Sequence, residues 1–575
     1  MMHAETSSPA SPYMGGPVDV ATSARGEISN QRFQQHANQF ARKVHSVTKG
    51  IWCHVGACLG NSTMIEGASG MIIVDTGDCV EQSLIQKQDF RRVHDKPLSG
   101  LIYTHVHYVF GSRTWIPTEL EGKVPVWAHP SLMLNMSRMA SDLSPFMVRR
   151  AAIQFGMHLP NEGPDSSCHQ GLGPFFYEFD KYSPTTGFVR PTHQATDGLE
   201  AQIDGVRFTF FHAWGDTDDT LLIWMPDSRT VINNIAWPAM FNICTLRGEV
   251  YRNPLELLRG LDKILELEPE HLVGVHGLPI SGREEIRRCV TEYRDTIQYT
   301  YDQTLRGINA GLSPAALVQY VRLPASLANG RLIGEFYGEL SYHVRQIYAG
   351  MVGWFGNDTV ELHPVAPTDQ ARRLIELAGG EERLAAATRA ALEQREYAWA
   401  AQMATWLLQG SDGREEYRRL KASALRAMGQ VTTAANTRSW YLTQALELEG
   451  KVDTSKPLIH FINAAMVRQM PVRTYVNGLR FQLSPSLSED GQKTVHLQFQ
   501  CPDANFTLRL RNGVVVIVDS APSTAVDATI MMAFDSWARL IGGEAAGTAL
   551  LSSGEIAATG NFAIVNAVLG IDRSC

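Results

Sequence analysis

Gly100-Leu101-Ile102-Tyr103-Thr104-His105-Val106-His107-Tyr108-Val109-Phe110-Gly111 is the stretch that decides the fold. An apolar strand runs into two histidines two positions apart, and a glycine closes the segment. Upstream, Ile51–Val55, Ser62–Glu66 and Met71–Gly77 read as strands, parted by turn signals at Gly60-Asn61 and Gly67–Gly70. Residues 80–95 read as a helix. Strand, turn, helix and a strand with histidines at its carboxyl end is a layered α/β pattern, with the site at the strand ends.

Working outward, residues 125–195 are loop-rich around Gly163, Gly171, Gly173 and Pro174 and read as an insertion walling the substrate side. Gly205–Phe211, Leu221–Met225, Thr230–Ile232 and Leu272–Val275 read as further strands, and 253–267 as a helix. The first domain is expected to span 45–300. From 301 to 452 the pattern turns helical: Ala371–Leu377, Leu384–Ala400 and Tyr417–Ala427 carry apolar residues at helical spacing, with breaks at Gly379-Gly380 and Gly429. A helical bundle or hairpin array follows. Lys456-Pro457 marks a boundary. Residues 456–575 then read as a separate small α+β domain with its own core, its strands Phe506–Leu510 and Val514–Val518 joined by an Asn512-Gly513 hairpin turn. Residues 1–44 are polar, lack the apolar core of a secretory signal, and read as a flexible tail.

The chain has 575 residues, 44% of them hydrophobic and 19% charged, with a formal net charge of −8. That balance excludes a nucleic-acid partner or a basic membrane-surface protein. No apolar run approaches the roughly 20 residues that span a bilayer. The eight cysteines are scattered, without a Cys-x-x-Cys pair, and read as reduced thiols of a cytoplasmic protein. Pairing of Cys53 with Cys58 across a turn is the lesser alternative.

His105 and His107 leave a strand together and can turn onto one metal ion; the plainer reading is that they satisfy backbone groups. His212-Ala213-Trp214-Gly215-Asp216-Thr217-Asp218-Asp219 follows another strand. Asp216 is a candidate ligand, with Asp218 and Asp219 orienting the others; the alternative is an acidic turn. His276 ends the strand Leu272–Val275 and sits at a last-ligand position. His271 reads as a surface residue.

These segments, in this order, resemble the alkylsulfatase group of the metallo-β-lactamase superfamily. The likeness includes Asn61, Lys96-Pro97 and Phe241-Asn242-Ile243-Cys244-Thr245-Leu246-Arg247-Gly248, which is similar to that family's Asn-Leu-Tyr-Thr-Leu-Arg-Gly segment. Ser341–Tyr348 with Gly353-Trp354-Phe355 resembles the start of its dimerisation domain, and the segment from 456 its sterol-carrier-like C-terminal domain. The resemblance implies an αββα sandwich, a helical dimerisation domain and a homodimer. It also implies two zinc ions, and here the chain departs from the pattern. His105, His107 and His276 match ligands, and Asp216 stands where the family has Glu. Asn234 stands where it has a bridging acid, and Val109 and Phe110 stand where it has Asp and His unless two residues are deleted.

One ion is therefore expected, zinc with iron or manganese as alternatives, held by His105, His107, Asp216 and His276 with Asn234 as a weak contact. The resemblance also implies that Asn242, Thr245 and Arg247 bind a sulfate, Arg247 through its planar fork, with a structural salt bridge as the alternative for Arg247; Tyr342 and His343 stand where the family has His-Asn, Tyr342 reading as a further substrate contact and His343 as an acid or base or as packing. The expected function is metal-dependent hydrolysis of an alkyl sulfate or related anionic ester, the substrate an amphiphilic small molecule. Two alternatives stand beside it: a mononuclear enzyme repurposed for another hydrolytic, lyase or redox reaction, and a non-catalytic protein binding an apolar ligand.

Overall fold

A computed structural model describes residues 11–140, 143–167, 169–174, 179, 181–459, 462–500 and 502–571. Two sheets face one another. The first has seven strands in sequence order: Lys43–Thr48, Ile51–Val55, Ser62–Glu66, Met71–Val74, Leu98–Ile102, Val126–Ala128 and His193–Gln194. It is antiparallel as far as Met71–Val74 and parallel beyond. The second has six: Leu199–Ile203, Val206–His212, Leu221–Met225, Thr230–Asn233, His271–Gly274 and Ile280–Ser281.

Strand parity builds the layers. Ile72 and Val74 point between the sheets onto Phe208, Phe210 and Ile223, while Met71 and Ile73 point outward to the layer of the helix Val80–Val93. In the second sheet, Leu221 and Ile223 face inward. Leu222 and Trp224 face the helices Pro254–Leu267 and Arg283–Asn309. Alternate side chains of a strand lie on opposite faces, so these apolar runs serve two cores at once. The result is an αββα sandwich.

Several expectations are corrected. Residues 11–44 are no flexible tail. A hairpin of Val20–Thr22 and Ile28–Asn30 leads into the helix Gln31–His36, and Phe33 is fully buried. Buried Arg438 clamps this segment by donating to the carbonyls of Ile28, Gly429 and Ser166 at 3.0, 2.9 and 2.7 Å. The stretch 125–195 carries two helices, Leu132–Ala140 and Ser144–Gln154. The expected boundary at 300 falls inside the helix Arg283–Asn309, whose apolar stripe continues through it. Leu384–Ala400 is two helices, Glu381–Glu393 and Tyr397–Gly410, with Arg395 between them at φ 61°.

The C-terminal sheet, in order Val514–Val518, Asp503–Arg511, Lys493–Gln500, Ala528–Met532, Ile556–Gly560, is its own unit. Its hairpin turns through Asn512 (φ 52°) and Gly513 (φ 73°), as an Asn-Gly type I′ turn requires. Its core is not isolated, however. The buried apolar residues run on continuously through Met136, Ile116 and Trp115 to the outer face of the first sheet. Cys53, Cys58, Cys79, Cys244 and Cys289 are free thiols, so Cys53 and Cys58 are not paired. Cys168, Cys501 and Cys575 lie outside the described residues.

Candidate metal centre

Two residues beyond the strand Leu98–Ile102 lies Thr104, whose backbone N–H and hydroxyl donate to the two oxygens of buried Asp75 at 2.8 and 2.6 Å. That anchor fixes the exit. The one hydroxyl proton of Thr104 is committed to Asp75, so the oxygen accepts from His105 Nδ1 at 2.9 Å. His105 Nε2 is thereby left as a bare lone pair, buried and without a hydrogen-bond partner. It lies 3.9 Å from Asp216 Oδ2. A turn at Val106–Tyr108 swings His107 to the same carboxylate, Nδ1 at 2.5 Å from Oδ2.

Among the described residues, His105, His107 and Asp216 form a group whose ligand atoms all lie within 4.8 Å of one another. An orphaned imidazole nitrogen beside a carboxylate and a second imidazole is a donor set that suits a divalent ion of zinc type. Burial, then the neighbouring His107, holds the His105 ring well below its ordinary pKa, so it is a neutral donor. At His107 burial opposes the charge, but Asp216 and Glu249 outweigh it and raise the ring to about 9. At Asp216 burial is overcome by Arg252 and His107, which hold the carboxylate ionised.

His276 is not in this group. Its Nδ1 donates to the Leu59 carbonyl at 3.1 Å, and its Nε2 accepts from the Tyr108 hydroxyl at 3.1 Å. Tyr108 stands between the histidines, its ring 5.2 Å from that of His105 and 5.4 Å from that of His276, edge-on to both. The ring can lie there because position 60 is glycine: a Cβ would come within 2.6 Å of it. Asn234 stands outside the group as well; its side-chain oxygen takes the Trp237 indole N–H at 3.1 Å. Val109 and Phe110 are buried among apolar neighbours. His276 and Asn234 are thus engaged in hydrogen bonds within the protein and lie outside the three-residue group.

The segment 242–247 reaches the centre unevenly. Asn242 donates to Asp216 Oδ1 at 3.3 Å. The Thr245 hydroxyl and the Arg247 backbone N–H are held by the Gln154 carboxamide. The Arg247 guanidinium pairs with Glu249 at 2.6 Å and lines the centre beside His107. Tyr342 and His343 lie behind this segment, lining neither adjoining cavity. His343 accepts from the Cys244 N–H at 3.1 Å and is held neutral by burial, its pKa pushed down to about 3. It supports the loop, and the expected acid–base role has no access to the centre. Asp218 and Asp219 both accept from Asn135, fastening the helix Leu132–Ala140 to the turn.

Two residues central to the site escaped sequence reasoning, Glu249 and Arg252. Arg252 Nη2 lies 2.7 Å from Asp216 Oδ1 and 2.5 Å from Glu249 Oε2. The charged triplet Arg247, Glu249, Arg252 just before the helix Pro254–Leu267 was the available signal. Two cavities meet at His107, Asp216 and Glu249. One, of about 450 Å³, opens past Trp214, Leu143, Phe146 and Val250. The other, of about 120 Å³, is walled by Met139, Met147, Met157, Phe155 and Leu172.

Comparison with known proteins gives three family matches. "Alkyl sulfatase dimerisation" covers residues 313–451, "Alkyl sulfatase C-terminal" 460–571, and "Metallo-beta-lactamase superfamily" 55–108. A linear primary-alkylsulfatase of a Pseudomonas species is 33% identical over 465 residues, covering 78% of this chain and 87% of the relative. An alkyl/aryl-sulfatase of Saccharomyces cerevisiae is 26% identical over 530 residues, covering 90% and 80%. The solved structure of a stereoselective inverting sec-alkylsulfatase from Pseudomonas shares the fold, with a TM-score of 0.86, 22% identity and coverage of 95% and 87%.

Proposed function

This chain belongs to the alkylsulfatase family, hydrolases of the metallo-β-lactamase fold, and from that premise we propose that it hydrolyses the sulfate ester of an apolar alcohol with a single divalent ion held by His105, His107 and Asp216. The observation that carries the single-ion reading is the Tyr108–His276 hydrogen bond, which fills the space beside the group with protein atoms. Zinc suits the two imidazoles and one carboxylate. The ion, when bound, supplies Lewis acidity and an acidified water.

The chain's own residues do the rest. Asp216 and Glu249 are balanced by Arg247 and Arg252, so two positive charges of the ion remain uncompensated where an anionic ester would sit. That excess selects a sulfate monoester over a neutral ester. Arg247 lies at the cavity wall and can turn one edge of its fork to the sulfate while Glu249 keeps the other. The methionine-lined cavity takes the apolar chain; thioether side chains adapt to a flexible ligand and exclude water around the ester. The substrate is therefore an amphiphile. No helix among the described residues is long and apolar enough to cross a membrane.

A homodimer fits the exposed apolar side chains of the helical region, Trp354, Val360, Leu362, Val365 and Leu377, which lie within the segment matched by the dimerisation family. Light scattering that gives one chain of 63.6 kDa across micromolar concentrations would remove that reading.

The test of function is sulfate release from a medium-chain alkyl sulfate by protein loaded with one zinc per chain. Release that stops on chelation and returns with zinc is expected. No release by the loaded protein from alkyl or aryl sulfates would overturn the proposal.

A further inference from the structure

The surroundings of His107 form a closed ring of charge. Asp216 Oδ2 meets His107 Nδ1 at 2.5 Å, and His107 Nε2 meets Glu249 Oε1 at 3.2 Å. Glu249 Oε2 meets Arg252 Nη2 at 2.5 Å, and Arg252 Nη2 returns to Asp216 Oδ1 at 2.7 Å. Arg247 adds a second cation to Glu249 from outside the ring. All five side chains are buried or nearly so.

We propose that Glu249 is the positioning residue of the metal centre: by holding the Nε2–H of His107 it leaves Nδ1, which gives up its proton when the ion displaces it, as the nitrogen that faces the ion between His105 and Asp216. This rests on the single-ion reading above. An imidazole ligates through one nitrogen only when the other carries the proton, and an outer carboxylate that accepts that proton sets both tautomer and ring orientation. Glu249 is so placed on His107, and no other carboxylate reaches that nitrogen among the described residues. His105 is served by Thr104 instead. The two ligand histidines are thus fixed by different devices, one neutral and one charged.

The arginines explain why a carboxylate can be kept there. A buried carboxylate is costly unless it is paired. Arg247 and Arg252 each pair with one oxygen of Glu249, and Arg252 also meets Asp216, so the placing of the two ligands is linked through one guanidinium.

Zinc affinity, measured by competition with a chromophoric chelator, and the visible spectrum of the cobalt-substituted protein test this together. Glu249→Ala is expected to weaken zinc binding by about tenfold to a hundredfold and to change the cobalt ligand-field bands. Glu249→Gln, which keeps the shape and one acceptor, is expected to weaken it less and to restore most of the spectrum. Where Glu249→Ala fails to fold, the Gln variant decides alone. Zinc affinity and cobalt spectrum within twofold of the unsubstituted protein in the variants that fold would overturn the role of Glu249. Absence of zinc binding by the unsubstituted protein would instead overturn the single-ion reading itself.

Discussion

The Tyr108 hydroxyl donates to His276 Nε2 at 3.1 Å, while His276 Nδ1 donates to the Leu59 carbonyl. Every polar atom of that imidazole is satisfied by protein. Burial presses the His276 pKa down to about 4 and holds the Tyr108 hydroxyl protonated, so the donor and acceptor roles are unambiguous. Asn61 secures the same corner by donating to the carbonyls of Gly274 and Gly277 at 2.9 and 2.7 Å. The histidine at this strand end is packed and hydrogen-bonded as part of the core.

The first prediction concerns that pair. Tyr108→Phe leaves a buried acceptor unpaired and should destabilise the fold by about 1–3 kcal/mol, with metal content unchanged. His276→Ala should likewise lower stability without removing the ion. Thermal melts with metal analysis on the same samples check both; a variant that loses its metal while keeping its melting temperature would count against the assignment.

The ligand set gives the second. His107→Ala and Asp216→Ala each remove one of three ligands and should abolish stoichiometric zinc binding at micromolar protein. Equilibrium dialysis reads this. Retention of one tightly held zinc in either variant would place the ion elsewhere.

Acid sensitivity is the third. Buried His36 donates Nε2–H to the Gly171 carbonyl at 2.8 Å, and buried His169 donates to the Phe33 carbonyl at 2.6 Å. Burial lowers their pKa values to about 4 and about 3. The unfolded chain takes up protons near the ordinary value of 6.5 that the folded chain refuses, so stability is full above that pH and falls as pH drops toward 4. His36 alone contributes about 3 kcal/mol across the window. Urea titrations of the chelated protein at pH 7 and pH 5 should show the loss, reduced in His36→Phe; an unchanged midpoint would contradict it.

Much of this was legible in the chain. The strand Met71–Val74 announced itself as an apolar run, although that its alternate side chains serve two cores is seen only in the fold. His105, His107 and Asp216 stood out because each follows a strand. Glu249 and Arg252 did not, since a loop has no periodicity and their partners lie far away in sequence, His107 being 142 residues from Glu249. His276 is ambiguous for a related reason. A histidine at a strand end reads the same whether it meets an ion or a tyrosine hydroxyl, and Tyr108 lies 168 residues away. The packing of residues 11–44 was hidden because Phe33 and Phe40 stand in a polar stretch and meet residues far away in sequence, His169 against both rings and Arg438 over Phe33.

Chain-length selectivity is the fourth prediction. Ala151→Phe would fill the smaller cavity beside Met147 and Phe155. Excluding about three methylenes at ~0.8 kcal/mol each removes about 2 kcal/mol of binding, or about thirtyfold in kcat/KM. The loss should fall on long-chain alkyl sulfates and spare short ones. An unchanged kcat/KM on long chains would place the chain in the larger cavity, which Ala151 does not line.

The most direct measurement is the metal content of the native protein, by mass spectrometry of the intact folded chain and elemental analysis together. One divalent ion per chain is predicted, lost in His107→Ala and kept in His276→Ala. Two ions per chain at full occupancy would contradict the account, because the second would need the space that Tyr108 and His276 fill with their hydrogen bond.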